Sequence, residues 1–155
     1  MPKPTLWQDM KKTFLLHAIA AHFSNGIIPV AVLYLLLALQ TGNPFFEHTV
    51  QHLLWITVLA IPVSFFSGIH DWKTKYRAAK APIFTKKIRL SGVLFVLCTI
   101  GVALRLLVPG VMERGDLLHW IYVADLFGMF PVVTLLGHYG GKLSQKARQQ
   151  PPKSS

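Results

Sequence analysis

Cysteine is nearly absent from this chain. The one present, Cys98, lies inside an apolar run, so no disulfide can form within the chain. The missing CxxCH motif excludes covalent c-type haem attachment, and the lack of a cysteine cluster turns the reading away from structural zinc. Cys98 reads as a small core residue. Negative charge is scarce as well: six acidic residues stand against sixteen basic ones, for a formal net charge of +10. Such an excess suits either nucleic acid or anionic lipid. The placement of the charges decides between them. Four apolar runs carry almost none, and no aromatic–basic pattern interrupts the basic segments, so nucleic acid is not an expected partner.

What the chain has in quantity is hydrocarbon. Mean hydropathy is +0.44 and 52% of the 155 residues are hydrophobic, too apolar for an ordinary soluble domain of this length. The runs are also long. Leu53 to Ile69 contains no charge at all. An α-helix rises about 1.5 Å per residue, so about 20 apolar residues cross a hydrocarbon core roughly 30 Å thick. The expected fold is therefore all-α, an integral membrane four-helix bundle. Its helices are expected over 13–39, 46–71, 90–107 and 116–140, after a segment 1–12 and before a basic tail 141–155 expected to be disordered. Lys11 and Lys12 precede a first run too long for a signal-peptide core and without a small-residue cleavage site, which predicts a retained helix. Pro29 should bend that helix, Pro109 and Gly110 should end the third, and Gly140 and Gly141 should stop the fourth.

Lysine and arginine set the expected topology. The N-terminal segment has three, the stretch from Trp72 to Arg89 has seven, the C-terminal tail has four, and the far side has only Arg105 and Arg114. By the positive-inside rule both termini are expected on the cytoplasmic side, with a bacterial inner membrane as the location. Trp7, Trp55, Trp72 and Trp120 fall near the predicted interfaces, as aromatic belts do.

The seven histidines then sort by depth. His22, His70 and His138 lie toward the basic edge, with His17 nearer the surface. His52 and His119 lie toward the far edge, with His48 just outside. His52 and His70 are 18 residues apart, five helical turns, and so share one stripe. Imidazole is a common axial ligand of haem iron, and facing helices of a bundle can present two. Two layers suggest one b-type haem near each face, held by His52 with His119 at the far side. His22, His70 and His138 are the candidates at the basic side. The plain alternative is that terminal histidines only cap or snorkel.

Asp125 is costly two turns inside a span and should have a partner, for which Arg105 is the nearest cation by depth. The pair is expected to be structural, with a proton path as the other use.

Three short motifs resemble a bacterial family of small four-helix membrane proteins, domain of unknown function 2231: His22-Phe23 with Pro29 downstream, Ser67-Gly68-Ile69-His70-Asp71-Trp72, and Gly137-His138-Tyr139-Gly140-Gly141-Lys142-Leu143. The family opening usually reads His-Phe-Pro, and here Ser24-Asn25-Gly26 intervene. The resemblance implies a membrane bundle that binds haem and carries no assigned reaction. The layout is also similar to dihaem b-type membrane cytochromes. The leading functional expectation is an electron carrier between membrane faces, to quinone or to a redox partner. The alternatives are a non-redox structural or assembly subunit of a membrane complex, and a proton-coupled transporter centred on Asp125. The chain lacks the inverted repeat of many transporters, which sets the last behind the others.

Overall fold

A computed structural model describes residues 16–74 and 81–149, with the side chains of 16–18, 20, 71 and 144–149 left out of the description. The segment 1–12, expected on the cytoplasmic side, lies outside the described residues. Four helices follow one another: α1 Leu16–Thr41, α2 Pro44–Thr74, α3 Pro82–Leu107 and α4 Leu117–Gln149. Each contains a stretch long and apolar enough to cross a membrane, namely Ala21–Thr41, Pro44–Thr74, Pro82–Leu107 and Leu117–Leu143. Large apolar side chains such as Leu59, Phe66 and Leu107 are among those left exposed on the outside of the bundle. Helices apolar on every side belong in lipid, where an outward leucine costs nothing. The protein is an all-α, multi-pass membrane bundle.

Local chemistry explains the helix ends. Between α1 and α2, Gly42 takes a left-handed φ of 65° and its N–H returns to the Ala38 carbonyl at 2.9 Å, closing α1. Asn43 then caps α2, its Oδ1 accepting from the Phe45 N–H at 3.0 Å, and Pro44 occupies the first helical position, where its missing N–H is not needed. At the start of α3, Ala81 is extended (φ −110°, ψ 137°), as the residue before a proline should be, and Pro82 opens the helix. This helix starts eight residues before the expected Leu90, so Lys86, Lys87 and Arg89 stand on its first turns rather than in a loop. At the other extreme, Gly140 and Gly141 do not end α4. Glycine costs only about 1 kcal/mol per helical position, and the helix formers Lys142, Leu143, Lys146, Ala147 and Arg148 follow. Most of the tail expected to be disordered is thus helical as far as Gln149. Pro29, Pro62 and Pro131 all sit inside continuous helices.

The helices pack as a ring. α1 touches α2 and α4, and α3 touches α2 and α4; α1–α3 and α2–α4 are the diagonals among the described residues. The buried residues advance by alternating threes and fours: Ile28, Ala31 or Val32, Leu35, Ala38 on α1; Val50, Leu54, Thr57, Ile61 on α2; Leu94, Cys98, Gly101 or Val102 on α3; Tyr122, Leu126, Met129, Val133, Leu136 on α4. That repeat is the seam of bundle packing with small crossing angles. Cys98 is fully buried on it, with its Sγ 3.7 Å from Met129 Sδ.

Candidate functional site

The seam carries its charged groups toward the end that lacks lysine. Glu47 stands one seam step before Val50, in the first turn of α2. Arg105 stands one step after Gly101, in the last turn of α3. An acid suits a helix N-terminus and a base suits a C-terminus, and the up-and-down topology sets these two ends side by side. The two side chains form a bidentate pair: Arg105 Nε donates to Glu47 Oε1, and Nη2 donates to Oε2 at 2.9 Å. Only 15% of the arginine side chain and 8% of the glutamate are exposed.

The expected Asp125–Arg105 pair is therefore not formed. Arg105 is taken by Glu47, and Asp125 sits half-buried against α3 a turn deeper. A Cβ added at Gly101 would lie 3.0 Å from Asp125 Oδ2, so the missing side chain is what admits the carboxyl. Tyr122, one seam step before Leu126, is fully buried. Among the described residues, the Tyr122 hydroxyl and Asp125 Oδ2 are the buried side-chain polar atoms with no hydrogen-bond partner. Glu47 and Tyr122 were not among the sequence candidates. The signal that finds them is seam register: residues 47, 50, 54, 57 and 61 form one alternating series, as do 119, 122, 126 and 129.

His119 belongs to the same end. It is buried, its Nδ1 lies 3.2 Å from the Val111 carbonyl, and its ring meets Trp120 edge-on at 5.1 Å. A carbonyl oxygen only accepts, so the neutral ring carries its proton on Nδ1 and keeps Nε2 as acceptor. Its backbone N–H donates to Asp116 Oδ1 at 3.1 Å, which makes Asp116 the cap of α4. Arg114 Nε donates to Asp116 Oδ2 at 2.8 Å. The hydrogen bond from Arg114, then that from the His119 N–H, hold the exposed Asp116 carboxyl below the usual carboxylate range.

The other four candidate ligands, His22, His52, His70 and His138, are exposed. Each lies two residues off its helix seam, about 160° around the helix from the core. His52 and His119 stand on diagonal helices, one outward and one inward, so the expected far-side haem pair is not assembled. His70 and His138 are likewise on diagonal helices. The combinations on adjacent helices at the basic end are His22 with His70 and His22 with His138. His22 borders a shallow apolar groove with Phe23, Gly26, Ile27, Val30 and Leu53. His48 and His52 are one turn apart on α2 and both exposed. No group of three or more histidine, cysteine or acidic side chains that could hold a metal ion occurs among the described residues. Comparison with protein families, with curated proteins and with solved structures finds no match to this chain.

Proposed function

We propose that this protein is a proton-responsive membrane subunit that takes up and releases a proton at Asp125. The observation that carries the reading is the pair of buried polar atoms without partners, Asp125 Oδ2 and the Tyr122 hydroxyl, set beside a closed ion pair. Ionisable groups inside a span are costly, and where they persist they mark ion or proton sites. Arg105 has no proton to give, and both Glu47 oxygens already accept from it. The groups left at this end to bind a proton or pass one are the Asp125 carboxyl, the Tyr122 hydroxyl, which both donates and accepts, and Nε2 of His119 one seam step from Tyr122. Toward the basic end the seam turns apolar, through Leu126, Met129, Val133 and Leu136. The other buried polar side chains there, Ser24 and Thr57, hydrogen-bond carbonyls of their own helices. The site thus communicates with one side only. It responds to protons and does not conduct them. The lysine-rich end faces the cytoplasm of a bacterial inner membrane, so the protons sensed are those of the opposite side.

The chain has only six carboxylic side chains, so infrared difference spectroscopy between two pH values can resolve Asp125. The wild type should show a carboxylic C=O band that forms on acidification and is missing in Asp125→Asn. Gly101→Ala should move that band without removing it, because the added methyl presses on Oδ2. A band set identical in wild type and Asp125→Asn would overturn the reading.

The second reading, a b-type haem electron carrier, is favoured by His22 at the rim of its apolar groove, on a helix that packs against both α2 and α4. Detergent-purified protein expressed with ample haem supply should then show a reduced-minus-oxidised spectrum of b type that His22→Ala abolishes. Colourless protein removes this reading.

A further inference from the structure

The basic end of the bundle holds an arrangement that neither reading uses. α3 and α4 are adjacent there. Lys87, in the second turn of α3, is only partly exposed, and its Nζ lies 3.9 Å from where a Cβ at Gly140 of α4 would be. Lys86 Nζ sits 5.6 Å from the centre of the Tyr139 ring, a cation–π contact. Lys142 is exposed one helical turn beyond Tyr139. The ion pairs formed among the described residues, Arg105–Glu47 and Arg114–Asp116, are both at the opposite end. The lysines of the α3–α4 cleft therefore carry uncompensated charge, and one of them is drawn in against a helix surface that glycine leaves bare.

Directly beyond this rim the same helices expose hydrocarbon. Val93 and Val96 on α3 and Leu135 on α4 are all exposed, Val93 two turns from Lys86 on one stripe and Leu135 one turn from Tyr139. A ligand with a single anionic head and an apolar tail matches both parts; a soluble phosphate compound or an acidic protein would match only the rim. Basic pockets between spans bind lipid phosphate in this manner. The geometry points to a binding site for the headgroup of an anionic phospholipid between α3 and α4, with Lys87 over Gly140 as the inner contact, Lys86 on Tyr139 and Lys142 at the rim, and the acyl chains lying along Val93, Val96 and Leu135. The inference rests on the membrane assignment and is independent of Asp125.

Native mass spectrometry of the full chain from detergent, titrated separately with phosphatidylglycerol, phosphatidylcholine and inorganic phosphate, tests it. The wild type should retain phosphatidylglycerol in preference to phosphatidylcholine. Each lysine removed should weaken that preference about fivefold, so the Lys86→Gln/Lys87→Gln double variant should lose nearly all of it. Gly140→Leu keeps every charge but fills the bare helix surface, and it should weaken retention too. Lys73→Gln, at the same end but on α2, should retain lipid as the wild type does. Equal retention of both lipids by the wild type would overturn the site. So would a preference that survives in both the double variant and Gly140→Leu, or saturation of the same site by inorganic phosphate alone.

Discussion

At the scale of single residues, the strongest interaction is the closed pair of Glu47 and Arg105. Removing one member of a buried ion pair leaves the other desolvated and alone, at a cost of roughly 3–5 kcal/mol. Glu47→Gln should therefore lower the melting temperature of detergent-purified protein sharply, and adding Arg105→Gln should recover part of the loss. Asp125→Asn in place of Glu47→Gln should show little coupling to Arg105→Gln, since the two side chains share no hydrogen bond. A double-mutant cycle that couples Arg105 to Asp125 more strongly than to Glu47 would contradict the placement. Asp116 makes a pH-dependent prediction. Its folded-state carboxyl is held below the ordinary range by Arg114 and the His119 N–H, so its contribution is present above the unfolded value and is lost as pH falls through the folded one. Asp116→Asn should melt below the wild type at neutral pH, and the gap should close on acidification. A gap that stays constant through the carboxylate range would mean the charge of Asp116 is not what matters.

The elements are set by turn chemistry that needs no tertiary context. Gly42, Asn43 and Pro44 end one helix, cap the next and occupy its first position within three residues. A side chain at the left-handed φ of Gly42 costs about 1–2 kcal/mol, so Gly42→Ala should destabilise by that amount. Gly26, which has no neighbour within 4 Å of an added Cβ and no positive φ, should accept alanine without loss. Equal effects at the two sites would remove the argument for Gly42. The early start of α3 belongs to the same scale. Pro82 marks a first helical position as well as Pro44 does, and the hydropathy of Lys86, Lys87 and Arg89 hides it by looking like a loop. The histidines show where element-level reasoning stops. A spacing of 18 residues keeps His52 and His70 on one stripe, and both are indeed exposed, while the 19 from His119 to His138 rotates one by about 100° from the other. Depth alone treated the two helices as equivalent, yet one of their four histidines faces the core.

For the whole molecule, the ends of the bundle differ in kind. One end carries lysines without acidic partners among the described residues, and the other carries the ion pairs and the polar seam. Such an asymmetry orients a bundle, because lysine and arginine resist translocation. A reporter active only in the cytoplasm, fused after Ser155, should be active. A reporter active only on the opposite side, placed in the α3–α4 connection near Gly115, should be active too. The reverse pattern would invert the bundle and place the Asp125 site on the cytoplasmic side.

Four spans, an all-α bundle, the α1–α2 turn and the basic end follow from the amino-acid sequence alone, because hydropathy, capping and charge are local properties that survive without knowledge of neighbours. The fate of each polar residue does not. Arg105 and Asp125 match in depth, but pairing also depends on which way each helix is turned and on which helix stands next to it. α3 turns Arg105 toward α2, where Glu47 waits at a complementary helix end, and Gly101 opens a place for Asp125 with no cation in it. The ring order, with α2 and α4 on a diagonal, likewise separates His52 from His119. Helix rotation and helix adjacency are fixed by contacts between residues far apart in the chain, and those contacts are what only the tertiary structure decides.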